Sequence, residues 1–190
     1  MHKTGLRLLL GAYSFSMLSS GILVPIYAFY VQKIGGGVFE ASSTVAISYI
    51  LTGLLTLVIF RTKWSHAYQK ECLVVGWFFW LISVCMYCYI TNVAMLFVSQ
   101  CFNGVGNALS ASTYDAEYSK QASSNLVHGW SMWEGTINIF SGLAAISGGF
   151  IVTHYGFDTL MLWMVGIAMT SFSSIVYYVY REKYLINQQP

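Results

Sequence analysis

The stretch AMLFVSQCFNGVGNALSASTY, residues 94–114, decides how this chain must be read. It carries no charge along its whole length, and it is as long as the helix of about 20 residues that crosses a bilayer core. Within it Gln100, Asn103, Asn107, Ser110 and Tyr114 step by three and four residues. They share one face of a helix otherwise made of Phe, Val, Leu and Ala. Amides are expensive against lipid, so this face must look into a bundle, where it either hydrogen-bonds neighbouring helices or lines a wet cavity.

The remaining sequence repeats the pattern of length. Charge-free runs fall at Leu8 to Val31, Ser42 to Phe60, Cys72 to Ile90, Ala94 to Tyr114, Met132 to Val152 and Thr159 to Tyr180, with Glu134 the one exception inside the fifth. The chain has 190 residues, 56% of them hydrophobic and 17% aromatic, with 8% charged against roughly 25% in a soluble domain. Such a surface cannot be wetted, and the surplus apolar side chains must face a lipid bilayer. The runs do not alternate polar and apolar as barrel strands would, so closed helices must satisfy the backbone. The expectation is an all-α, polytopic integral membrane protein with six transmembrane helices forming one domain over residues 1–190.

Charge placement sets the orientation. With the N-terminus cytoplasmic, Lys3, Arg7, Arg61, Lys63, Lys70, Lys120, Arg181 and Lys183 fall inside and only Lys33 outside, which puts both termini in the cytoplasm. The first run is read as a retained span, since it is long, has no small-x-small cleavage site and is followed by Pro25 and Tyr27. Net charge of +2 is too small and dispersed for a nucleic-acid partner.

Enzymatic chemistry finds no footing. His2, His66, His128 and His154 lie in loops or tails, so no buried serine has a histidine base. Asp115 and Asp158 sit at helix ends on opposite sides and cannot form an aspartyl pair. Cys85 and Cys88 place two small apolar residues on one helix face, with no His, Asp or Glu beside them to make a metal site. No enzyme activity, metal or cofactor is expected.

Two further features stand out. In the first span Tyr13, Ser16, Ser20 and Tyr27 fall near one face, and Pro25 removes a backbone bond close to its outer end. In the fifth, Glu134 is the only acidic residue clearly within a span, and Asn138 and Ser141 continue its face. Ser131-Met132-Trp133-Glu134 also reads as a capping box, so Glu134 is either a helix cap or a group on a solute path. Farther along, Ser141, Ala145 and Gly149 make a small-xxx-small packing stripe, with Ala144 and Gly148 beside it.

At Gln100-Cys101-Phe102-Asn103-Gly104-Val105-Gly106 the sequence resembles the major facilitator superfamily. The fourth helix of that family often carries an arginine, two apolar residues, a glutamine and then Gly-x-Gly, and Gln100 stands here at the arginine position. Ala144-Ala145-Ile146-Ser147-Gly148-Gly149 keeps the glycine pair of the family's fifth-helix Gly-Pro-x-x-Gly-Gly, and Tyr155-Gly156-Phe157 resembles the short outer turn into helix six. The loop Phe60-Arg61-Thr62-Lys63-Trp64-Ser65-His66 keeps basic residues but lacks the family's Gly and Asp, and nothing in Arg181 to Pro190 begins a seventh helix.

The resemblance implies one six-helix half of a transporter, built from two inverted three-helix repeats in which helices one and four line the cavity. Tyr13, Ser16, Ser20, Tyr27, Gln100, Asn103, Asn107, Glu134 and Asn138 are then the expected pathway residues, with Ser141, Ala145, Gly148 and Gly149 for packing. The expected function is transport of a small, neutral or weakly cationic solute across the cell membrane. A parallel homodimer with helices one and four near its axis, or pairing with a second six-helix half, would complete the path. The alternative is a non-transporting membrane scaffold or partner subunit.

Overall fold

The computed structural model describes residues 2–59, 61 and 68–187, and all regular structure among them is helical. Most of the 60–66 loop, and with it the departure from the gating motif, lies outside the described residues. Helix α1 spans His2–Gly21, a short 3-10 turn Val24–Ile26 holds Pro25, and α2 spans Tyr27–Lys33. The first run is thus interrupted where the missing proline N–H predicts it. Helices α3 (Val38–Ile59), α4 (Gln69–Met86) and α5 (Val93–Gln121) follow, and α6 covers Leu126–Asn187.

Four stretches among the described residues are long and apolar enough to cross a membrane: Thr4–Lys33, Val38–Ile59, Gln69–Met86 and Leu126–Leu185. The last of them is 60 residues long. At ~1.5 Å per residue it would reach about 90 Å, some three times a bilayer core. It does not run straight. Gly156 adopts φ 81° and ψ 175°, a conformation a side chain would resist, and divides α6 into arms 126–155 and 157–187.

Side-chain registers give the relative directions of the helices. Along α1, the Tyr13 ring meets Trp133 at 5.2 Å, Gly21 faces Ala144 and Ile22 faces Gly148, so α1 and the first arm run parallel. Against the second arm the order reverses. Ser19 Oγ donates to the Met164 carbonyl at 2.9 Å, and Ser171 Oγ donates to the Ala12 carbonyl at 2.7 Å. The two arms are therefore antiparallel. Helix α5 lies antiparallel to α4, since Gly76 meets Gly106 and Ser83 meets Ser99, and parallel to α3 through Ser48 and Asn103. Helix α4 in turn runs against the second arm, with Trp77 Nε1 on Ser171 Oγ at 3.0 Å and Glu71 on Lys183 at 2.6 Å.

These registers describe an exchange: α1 packs between the arms of α6, whereas α5 packs between α3 and α4. Sequence explains why α5 fits its slot. Residues two apart on a helix point about 200° apart, so Gly104 and Gly106 open opposite flanks. A Cβ on Gly104 would stand 2.9 Å from the Ser48 carbonyl, and one on Gly106 would stand 2.7 Å from the Trp80 nitrogen and 2.8 Å from the Gly76 carbonyl. Each glycine admits one neighbouring backbone, which supplies contact where lipid offers no hydrophobic drive.

Against the first arm the small-residue seam is shifted from the expected row. The residues that meet α1 are Ala144 and Gly148, with the Ser141 backbone close by, while Gly149 faces open space. A Cβ on Gly148 would collide with the Ile22 carbonyl. The contact thus follows an i, i+3, i+7 line through Ser141, Ala144 and Gly148, because a helix crossing at an angle leaves the straight i, i+4 row.

Candidate functional site

A cleft of about 560 Å³ lies between α1, α3, α4, α5 and the first arm, within the range of small-molecule sites. Tyr13, Ser16 and Ser20 from α1 and Tyr27 from α2 reach its wall, as do Gln100, Asn103 and Asn107 from α5. With Ser110 and Tyr114, which also line it, these are the nine polar residues that the periodicity of the first and fourth spans singles out.

The α5 amides form a chain. Asn107 Nδ2 donates to Asn103 Oδ1 at 3.2 Å, and Asn103 Nδ2 donates to Gln100 Oε1 at 3.3 Å and to Ser48 Oγ at 3.0 Å. Gln100 Nε2 then donates to the hydroxyls of Tyr87 at 3.0 Å and Tyr27 at 3.3 Å, and Tyr27 shares a 2.7 Å bond with Thr44. The chain carries hydrogen bonding from α5 to α2, α3 and α4. A satisfied chain lowers the cost of the amides, and a solute with its own donors or acceptors can exchange into it without stranding a buried group. Gln100 is buried, whereas Asn103 and Asn107 are half-buried on the cleft side.

The α1 hydroxyls behave differently. Ser16 lines the cleft, but its Oγ donates to the Tyr13 carbonyl of its own helix at 2.8 Å, so its donor is spent locally. Beyond these, the cleft is walled by aromatic rings. Tyr13 packs 4.8 Å from Tyr114, 5.2 Å from Trp133 and 6.4 Å from Trp77, and Trp80, Tyr87 and Tyr49 add to the lining.

Glu134 and Asn138 are not part of this surface. Both are exposed on the outer side of the first arm, where Asn138 Nδ2 donates to the Glu134 carbonyl at 2.9 Å and to its carboxylate at 3.3 Å. The cap reading of Glu134 is corrected as well. The helix begins at Leu126 and its first turn is closed by Asn125, whose Oδ1 accepts from the His128 amide at 3.0 Å. Ser131 is therefore inside the helix, where its own backbone is already paired. Trp133, next to Glu134, is the residue of this segment that faces the cleft.

Thr44, Ser48 and Tyr87 complete the polar chain yet are not singled out from the sequence, because hydroxyl residues are common in membrane helices and Thr44 is hidden in the run Ser42-Ser43-Thr44. Thr44 and Ser48 are four residues apart, which is the one signal that could have found them.

An all-α bundle of long apolar helices around a polar, aromatic cleft defines an integral membrane protein of the solute-carrier kind. The sequence matches the Major Facilitator Superfamily over residues 9–189, and the chain belongs to that family. Its members carry solutes across membranes. Comparison with curated proteins gives no match, and comparison with solved structures gives none either.

Proposed function

We propose that the chain forms a six-span half of a solute transporter and moves a small, neutral or weakly cationic solute through the cleft. The observation that carries this reading is the hydrogen-bonded line from Asn107 through Gln100 to Tyr87 and Tyr27 along one wall of that cleft. Alternating helix directions, with α6 counted as two spans, support six crossings arranged as two inverted three-helix units. Arg7, Lys70, Lys120, Arg181 and Lys183 gather at one end of the bundle and Lys33 sits at the other beside Asp158, which favours both ends on the cytoplasmic side of a cell membrane.

The cleft is open along one side. Val24 and Tyr49 both line it, yet they are 70% and 74% exposed. Lipid against that opening would leave the amide wall unsealed, and Glu134 with Asn138 would add an exposed carboxylate at a cost up to about 3 kcal/mol if unpaired in mid-membrane. A second copy in the same orientation, or a second six-helix half, covers both features, and in the homodimer α1 and α5 lie near the shared axis.

Native mass spectrometry from lipid tests this directly, with twice the chain mass or a co-purifying second half as the expected result. Single cysteines replacing Tyr49 or Ala111, at the rim, should cross-link between copies. A strictly monomeric particle that still moves no solute would favour the membrane-scaffold reading instead.

A further inference from the structure

We infer that the solute is an organic cation, taken up against the aromatic wall around Tyr13 with Asp115 as its counter-charge; this rests on the transport reading above and narrows its substrate class. Asp115 is the one charged residue lining the cleft, and no Lys, Arg or His contributes to that lining among the described residues. None of the ion pairs among those residues engages Asp115. The carboxylate is exposed at the rim, one residue from Tyr114, on the part of the wall where Tyr13, Trp77, Tyr114 and Trp133 converge.

Three physical terms point the same way. The faces of these rings carry negative quadrupole potential and attract a cation within about 6 Å of a ring centroid, most strongly where water is excluded. A carboxylate at the rim of a cleft with apolar walls, with no ion-pair partner among the described residues, draws cations and repels anions. A small inorganic cation does not suit the site, because calcium or magnesium requires about six oxygen ligands and the wall offers a single carboxylate among rings. A weakly hydrated, alkylated ammonium group fits both the rings and the charge. The amide line on the neighbouring wall is then left to hold a hydrogen-bonding portion of the same molecule.

The test uses the full chain in lipid nanodiscs and three water-soluble probes of similar ring size: phenyltrimethylammonium, benzyl alcohol and benzenesulfonate. Binding is read from quenching of tryptophan fluorescence, since Trp77, Trp80 and Trp133 all line the cleft. The cation should saturate at least about ten-fold more tightly than the neutral or anionic probe. Asp115→Asn should weaken the cation by about three- to ten-fold while leaving benzyl alcohol unchanged, and Asp115→Glu should restore most of the loss. Trp133→Leu should weaken the cation without creating a preference for the anion.

Saturation by the neutral or anionic probe without cation preference overturns the cation assignment and leaves the transport reading standing. Cation binding indifferent to Asp115→Asn places the cation elsewhere and also overturns it. If no probe saturates, the cation assignment fails, and the transport reading fails with it only if a cysteine at position 103 is closed to water-soluble thiol reagents.

Discussion

Helix α5 and the first arm of α6 are built from the same kinds of residue, and they meet opposite surroundings. Each carries glycines within an apolar run and polar side chains at three- and four-residue spacing. In α5 the glycines are pressed against neighbouring backbones and the amides face the cleft. On the arm, Gly148 is pressed against the Ile22 carbonyl, but Gly135, Gly142 and Gly149 face open space, and Glu134 and Asn138 look outward. Helical period tells which residues share a face. It does not tell what that face looks at, because this is set by which helices approach and from which side.

The sharpest way to break the comparison is to fill a glycine on each helix. Gly106→Leu drives a side chain into the Trp80 and Gly76 backbones and should cost about 3 kcal/mol, seen as loss of the folded fraction in detergent. Gly142→Leu has room and should cost less than about 0.5 kcal/mol in the same thermal unfolding experiment. Equal effects would mean that the two helices are packed alike.

Function should divide along the same line. Asn103→Leu and Asn107→Leu should abolish solute movement in proteoliposomes while lowering stability by only about 1 kcal/mol each, since interhelical bonds such as Asn103 to Ser48 average about 0.6 kcal/mol and the Asn107 bond stays within α5. Asn138→Leu should leave binding within the cleft intact and act on association instead, raising or lowering the dimer fraction in native mass spectra. Loss of binding in Asn138→Leu would place the arm on the solute path after all.

A smaller effect concerns the bundle end where Lys183 Nζ meets the Glu71 carboxylate at 2.6 Å. Both side chains are about half exposed, so the pair is worth under about 1 kcal/mol and is screened by salt. Lys183→Met should lower Tm slightly at low ionic strength, and the difference from the unsubstituted protein should shrink in about 1 M salt.

Much of the site was legible in the sequence because one helix carries it. Gln100, Asn103 and Asn107 lie on a single α5 face, and a charge-free run leaves an amide face nowhere to point except inward. The proline break at Pro25 was legible for a similarly local reason, the lost N–H, whereas the turn at Gly156 was legible only through the family resemblance, and its positive φ came from the structure. What escaped depends on tertiary approach. Thr44, Ser48 and Tyr87 become a polar chain only when α3 and α4 bring them to α5. Glu134 faces outward because α1 seats on Ala144 and Gly148, which fixes the rotation of the whole arm, and no residue near Glu134 announces that rotation.

The central claim is that the amide face of α5 borders water while the polar pair on the first arm does not lead into the cleft. Single cysteines at positions 103 and 138, on a cysteine-free background in intact membranes, decide it with a small hydrophilic thiol reagent. The account predicts that the cysteine at 103 reacts rapidly and is protected by phenyltrimethylammonium, whereas the cysteine at 138 gains no protection from that probe. An unreactive cysteine at 103, or one at 138 that the probe protects, would contradict it.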